Sequence, residues 1–380
     1  MTDQSSTYAY NREFLHNYTS IIELRRNGSR LILAPEWQGR VMTSSCDGDN
    51  GFSFGWINHE LIESREILDH MNPFGGEERL WLGPEGGQFS VFFKKGTSFD
   101  FENWQTPAIL DTEPFDVISM DSTTVKFLKN AALTNYSGTE LEFSIERTVS
   151  LLQEWDVADD LGIELEGIKC VAYRSENNLT NRGNQEWNQD GGMLSVWMLG
   201  MFNPSPNAVV VIPFAEGEEA SLGPKVNDNY FGKINEDRLR TGSGHIFFRA
   251  DGKSRGKIGI PPLRVTGLMG SYDDDIKALT ILICDLPQGI TNFVNSSWEL
   301  QDEPFSGDAY NSYNDGPLED GTVMGPFYEL ETSSPALPLK PGESYKHTQI
   351  TMHLTGDEEQ LDKISRKVLN VSLEEIKSAF

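Results

Sequence analysis

A chain of 380 residues, 38% of them hydrophobic and including 21 Phe, 11 Tyr and 8 Trp, is long enough for two or three domains or for one large all-β unit. Its 58 acidic against 31 basic residues give a formal net charge of −27, which argues against nucleic acid or an anionic membrane as partner, because both are polyanions. No apolar run approaches the roughly 18 residues that cross a bilayer, and the opening MTDQSSTYAYNREF lacks the basic and apolar regions of a signal peptide, so a soluble chain of unassigned compartment is expected.

Most of the chain reads as short strands between turns. SIIELRRNGSRLILAPEWQGRVMTSS (20–45) predicts a hairpin about Asn27-Gly28 and a third strand beginning near Gly39. Further strands are predicted over 87–93, 123–136, 140–152, 167–180, 193–202, 208–214, 245–250 and 278–286. Each is rich in β-branched and aromatic residues and bounded by Gly, Pro, Asn or Asp. ALPLKPGESYKHTQITMHL (336–354) predicts another hairpin, with Pro341-Gly342 at the centre of a type II turn. On its last strand His347, Gln349, Thr351 and His353 share one face, expected to meet solvent. Helix is predicted only over 357–380, where Leu361, Ile364, Val368 and Leu369 fall at helical spacing and Ser372 with Glu375 forms a capping box. The expected architecture is therefore all-β, a many-stranded sandwich over residues 1–356 closed by a short helical tail, 357–380.

The chemistry-bearing signals are few. Cys46, Cys170 and Cys284 are far apart and odd in number, which indicates neither a disulfide framework nor a zinc site. There is no Walker loop, no HExxH and no GxSxG, and no cofactor is expected. CDGDNG (46–51) begins like a calcium loop but lacks the glutamate at position twelve, so it reads as a turn; YDDDIK (272–277) reads as a hairpin tip; no metal site is expected.

Four stretches stand out. NPFGGEERLWLGPEGGQFSVFF (72–93) crowds glycines with Glu77, Glu78, Arg79, Trp81 and Glu85, and glycine at that density lets backbone pass close to a ligand or another strand. Arg79 and Trp81 offer a cation beside a flat apolar face, which suits sugars: hydroxyls take charged hydrogen bonds and C–H faces stack on rings. TGSGHIFFRADGKSRGKIG (241–259) holds His245 and the densest basic patch, Lys253, Arg255 and Lys257. YNSYNDGPLEDG (310–321) carries Asn314 and Asp315 at a turn. GPFYELETSS (325–334) reads as a strand with Glu329 and Glu331 on one face, about 7 Å apart.

The order of these motifs, GGEERLWLGPEGGQFS, SVWMLGMFNPSP, ADGKSRGKIG, YNDG and FYELET followed by the last long strand, resembles the galactose mutarotase-like proteins over roughly residues 20–356, closest to an uncharacterised bacterial branch. The resemblance implies a β-supersandwich of large antiparallel sheets with a sugar cleft. It also implies a glutamate acting as base on the anomeric hydroxyl and a histidine acting as acid on the ring oxygen. Glu331 matches the base. Neither histidine is matched: Phe74 precedes Gly75-Gly76, and SVWMLGMFN offers Trp197. His245 or Arg79 is then the candidate acid or electrophile. Trp81, Glu85, Lys253, Asn314, Asp315 and Glu329 are the candidate substrate contacts, and the partner is a sugar or sugar acid. Two roles stay open beside an epimerase-type enzyme: a non-catalytic sugar-binding protein, and a structural or interaction protein on the same scaffold.

Overall fold

The structure is a computed structural model that describes residues 6–318 and 321–380. Residues 1–5 of the opening segment and 319–320 of the 310–321 stretch lie outside the described residues. Among the described residues, eighteen strands form a three-stranded, a ten-stranded and a five-stranded sheet, with antiparallel pairing between neighbours.

The hairpin at Asn27-Gly28 is present. Arg26 pairs with Ser29 across it, and Asn27 adopts a φ of 49°, a conformation open to Asn and Gly but costly for most residues. Ile22–Arg26, Ser29–Ala34 and Arg40–Ser45 make the three-stranded sheet. The ten-stranded sheet carries the long strands Thr124–Thr134, Glu140–Leu151, Ile168–Asn181 and Ser344–Gly356. In its strand Ala208–Pro213, Ala208, Val210 and Ile212 turn toward the five-stranded sheet, where they meet Phe202, Ile258 and Leu330. Val209 and Val211 turn to the opposite side and pack under Leu361, Ile364 and Ile376 of the C-terminal helices Glu358–Val368 and Leu373–Lys377. This period-2 division of one strand between two apolar layers is what stacks sheet on sheet and tail on sheet. The capping box at Ser372 and Glu375 is formed.

Several expectations are not met. Residues 87–93 form turns: Gly87 takes a φ of 79°, the Val91 N–H donates to Pro84 O (3.3 Å), and Val91, Phe92 and Phe93 plug the core. Residues 336–343 form a turn segment feeding one long strand instead of a hairpin arm. Its turn is as read, with Gly342 at φ 84° and the Glu343 N–H donating to Lys340 O at 2.8 Å. Helix is not confined to the end. Tyr8–Tyr18 is an α-helix whose N-cap is the Thr7 hydroxyl, and it buries Tyr8, Asn11 and Leu15. The helices His59–Ser64 and Glu154–Leu161 carry little sequence signal because they are short, six and eight residues. Among the described residues no helix is long and apolar enough to cross a membrane.

The polar face of Ser344–Gly356 is buried instead of solvated. His353 places Nδ1 2.9 Å from Thr280 Oγ1 and Nε2 3.0 Å from Glu77 Oε2, and His347 Nε2 lies 2.9 Å from Thr332 Oγ1. Burial pushes the His347 imidazole down to about 4, so it is neutral. Next to it Glu78 accepts from Arg147 Nη2 (2.7 Å), Ser175 Oγ (3.0 Å) and Gln349 Nε2 (3.0 Å). A sandwich this large thus carries a polar seam in which most buried groups are partnered.

Candidate functional site

The five-stranded sheet runs in the order Gly256–Ile260, Tyr310–Asn314, Tyr328–Ser333, Ser195–Phe202, Arg79–Gly83. Its register puts Asn311 opposite Glu331, Glu331 opposite Leu199, and Leu199 opposite Arg79. The row beside it holds Lys257, Tyr313, Glu329 and Met201, and the row on its other side Ser333, Trp197 and Trp81. Since side chains alternate, these groups share the face that points away from the apolar contact with the ten-stranded sheet. The apolar partners Ile258, Tyr310, Tyr328 and Leu330 occupy the other face.

On this face Glu331 is fully buried. Its Oε2 accepts from Trp197 Nε1 at 2.8 Å and from Lys257 Nζ at 3.0 Å, while Oε1 has no partner. The Lys257 ammonium lies 4.7 Å from the Trp197 ring centroid and 5.6 Å from that of Tyr230. Glu329 accepts from Arg79 Nη2 at 2.8 Å, and the Arg79 guanidinium rests 4.5 Å from the Trp81 centroid. Arg79 Nε, Trp81 Nε1 and Trp104 Nε1 are likewise buried without partners. Buried polar atoms of native proteins are mostly paired. Four bare ones gather around one aromatic wall, in which Trp81 packs on Trp197 (5.5 Å) and Trp104 (6.4 Å).

A second tier closes the floor. Asp308 Oδ2 accepts from the Tyr230 hydroxyl (2.6 Å) and Asn227 Nδ2 (3.1 Å), and Asn311 Nδ2 donates to the same Tyr230 oxygen (3.1 Å). Gly259 makes the room, since a Cβ there would stand 2.0 Å from Asp308 Oδ2. Burial raises the Asp308 carboxyl, against the lowering by Tyr230, Asn227 and Lys257. Glu85 follows the strand Arg79–Gly83, and burial raises its carboxyl too.

Glu329 is pushed up to about 7. Burial is the main cause, opposed by Arg79 and reinforced by Glu331. From its ordinary 4.5 to about 7 the folded chain holds a proton that the unfolded chain has released, so this group's contribution to stability falls as pH rises through that window. Urea unfolding of the wild type and of Glu329→Gln, compared at several pH values, is expected to show the wild type losing ground to the variant as pH rises through that range. A constant difference would refute this.

The structure gathers Glu331, Glu329, Arg79, Trp81 and Glu85 around one face. It does not bring His245, Lys253 or Asn314 there, and Asp315 reaches it only through the Tyr313 hydroxyl. His245 opens a strand of the ten-stranded sheet, with its ring nitrogens 3.0 Å from Ser243 O and 3.0 Å from Leu369 O, beside a cavity of about 450 Å³ lined also by Pro213, Thr266 and Val368. The expectation that His245 converges with Glu331 is therefore corrected: it sits in a different sheet, under the C-terminal helices. Lys253 is exposed on the turn before Gly256–Ile260, and the cation that reaches the carboxylate is Lys257. Asn314 lies on the opposite parity, where its amide holds Ser254 O (2.9 Å) and the Gly252 N–H (3.0 Å), so it pins a loop. Asp315 anchors another loop, accepting from the Tyr313 hydroxyl (2.5 Å) and the Gly325 N–H (3.0 Å). The glycines of 72–93 serve chain packing: Gly75 (φ 93°) leaves no room for a Cβ, which would lie 2.1 Å from Trp56 O. Tyr230, Asp308, Trp104 and Trp298 were not singled out, because they come from loops distant in sequence. Lys257 had a local signal, its alternation with Ile258 and Ile260.

Solved structures share this architecture. The Slr1438 protein of Synechocystis sp. PCC 6803 is 13% identical, with a TM-score of 0.53 over 89% of this chain and 96% of its own. A candidate aldose 1-epimerase of Escherichia coli K12 is 11% identical, with a TM-score of 0.52 over 89% of this chain and 99% of its own. At these identities the likeness is one of fold, and the fold is the galactose mutarotase-like β-supersandwich. No match is found among curated proteins. The model of the family of unknown function DUF6786 matches residues 6–380, and the chain belongs to that family.

Proposed function

We propose that the face carrying Glu331 binds a free sugar or sugar acid and exchanges its anomers, as an aldose 1-epimerase does. The observation that carries this reading is the state of Glu331. Trp197 and Lys257 fix one carboxylate oxygen, and the other is buried and bare. A base must stand within hydrogen-bond reach of the proton it takes, and Glu331 offers a fixed carboxylate with one oxygen left free. Trp81 and Trp197 supply flat apolar surface for the C–H face of the sugar, and Arg79 supplies a charged donor for a hydroxyl. The fold shared with a candidate aldose 1-epimerase supports the substrate class. The role of Lys257 is to hold the Glu331 side chain in a fixed orientation.

Pure α-anomers of several aldoses and aldonic or uronic acids, mixed with the purified chain and followed by proton NMR, test the reading. Exchange faster than the buffer rate with at least one sugar is expected. Saturable binding without any acceleration would assign the face to a non-catalytic sugar-binding role, which the Trp197 in place of an ionisable residue favours.

A further inference from the structure

Mutarotation needs a proton donor at the ring oxygen as well as a base at the anomeric hydroxyl. The histidines are engaged elsewhere: His347 and His353 are bonded to Thr332 and Glu77 in the seam, and His245 lies against Leu369 O under the C-terminal helices. The face carrying Glu331 holds other ionisable groups. Arg79 is bonded to Glu329 at 2.8 Å, and a guanidinium does not give up its proton in a protein. Glu329 in turn directs Oε1 to Arg79. Asp308 Oδ2 accepts from the Tyr230 hydroxyl at 2.6 Å and from Asn227 Nδ2 at 3.1 Å, so the protons in those two contacts belong to its partners.

Lys257 differs from these in being bonded to the base itself. Its backbone sits opposite Tyr313, in the row of Glu329, and its side chain crosses to the next row and sets Nζ 3.0 Å from Glu331 Oε2. An ammonium has three N–H donors. Among the described residues this one makes a single hydrogen bond, to Glu331, and its other neighbours are the rings of Trp197 (4.7 Å) and Tyr230 (5.6 Å), which attract a cation through their faces. The Lys257 side chain is 12% exposed and that of Glu331 0%, so of the two the lysine is the one that solvent reaches. Both oxygens of a carboxylate are held on one carbon. The bare Oε1 of Glu331 and the oxygen that meets the ammonium therefore belong to one rigid unit. A cyclic hemiacetal likewise carries its ring oxygen and its anomeric hydroxyl on one carbon.

We propose that Lys257 is the acid of the anomer exchange: its ammonium gives a proton to the ring oxygen while Glu331 takes one from the anomeric hydroxyl through Oε1. This rests on the reading of Glu331 as base, and it adds a proton transfer to the orienting role of Lys257. The Lys257 proton goes to the ring oxygen, which keeps the electron pair of its broken bond to the anomeric carbon. Glu331 receives the hydroxyl proton, and the O–H electron pair becomes the second bond of the open-chain aldehyde. Lys257 is then a neutral amine and Glu331 a carboxylic acid. Rotation of the aldehyde and reversal of both transfers close the ring on its other face and restore ammonium and carboxylate. The pair is neutral in total before and after each transfer, so no uncompensated charge is left in a buried site, where it would be costly.

The test is anomer exchange by the full chain for the wild type, Lys257→Arg and Lys257→Ala. Arginine keeps the cation that orients Glu331 but holds its proton. Lys257→Arg is therefore expected to lower kcat by about 10²–10⁴-fold, the range for a general acid, while tryptophan fluorescence still reports saturable sugar binding. Lys257→Ala is expected to fall as far and to regain rate in proportion to added ethylamine, beyond what the same amine gives without protein. A wild-type rate in Lys257→Arg, or no response of Lys257→Ala to ethylamine, overturns the assignment. So does a wild-type rate that falls above about pH 7 and keeps no such limb in Glu329→Gln, since Glu329 would then be the donor. Exchange abolished by Glu331→Gln but indifferent to Lys257→Arg overturns this inference alone; absence of exchange in the wild type overturns the underlying reading as well. Should Lys257→Ala not fold, the rate of Lys257→Arg and the pH profile of Glu329→Gln decide.

Discussion

Replacing Glu331 by Gln is expected to slow anomer exchange by about 10²–10⁴-fold, the usual contribution of a positioned general base, with sugar affinity changed only several-fold. The substitution keeps the shape. The amide oxygen still accepts from Trp197 Nε1, 2.8 Å away in the wild type, and from Lys257 Nζ, 3.0 Å away. What it removes is basicity at the bare oxygen. The expected pattern is therefore a loss in kcat with KM nearly preserved, since an interaction made only in the transition state is lost. Anomer exchange by NMR gives the rate, and titration of tryptophan fluorescence gives the affinity, because Trp81 and Trp197 lie at the site. An unchanged rate would remove Glu331 as the base. A variant that neither binds nor exchanges would indicate that the carboxylate is needed for the local structure instead.

The second large effect is on stability. Arg147→Met is expected to cost about 3–5 kcal/mol in urea unfolding, the range for removing one partner of a buried ion pair. Arg147 and Glu78 are both fully buried, bonded at 2.7 Å, and Arg147 also holds Asn177 Oδ1 at 2.7 Å. Without the guanidinium, Glu78 keeps only the neutral donors Ser175 and Gln349, which do not offset the burial of a charge. The double variant Glu78→Gln, Arg147→Met is expected to recover much of the loss, because the orphaned charge is then gone. A loss below about 1 kcal/mol for Arg147→Met, the scale of an ordinary surface substitution, would contradict this account.

The contrast between Glu78 and Glu331 shows how far the sequence could be read. In GGEERLWLG three charged residues adjoin a strand, and nothing local separates them. Arg79 faces the proposed site, while Glu77 and Glu78 turn into the seam between the sheets. The side chains of Ser344–Gly356 illustrate the same limit. Alternation placed His347, Gln349, Thr351 and His353 together correctly, and a polar face is most simply solvated. Here it meets Thr332 of the five-stranded sheet and Glu77 and Glu78 just ahead of the strand Arg79–Gly83. Alternation reports which side chains share a face and carries no information about what that face meets.

What the sequence by itself determined is therefore the local and periodic part: the strands with alternating apolar residues, the Asn27-Gly28 and Pro341-Gly342 turns, the capping box at Ser372, and the common face of Glu329 and Glu331. These follow from backbone sterics and side-chain parity within a few residues. The tertiary structure alone decided which of these elements meet. Lys257, Arg79, Trp197 and Glu331 come from four strands scattered over most of the chain and become neighbours only through the register of one sheet. His245 was drawn off by the same physics, since its strand pairs with Ala208–Pro213 in the other sheet. Strand pairing is selected by burial summed over whole faces, a non-local quantity, and for that reason the residue beside Glu331 could not be read from the residues around either one.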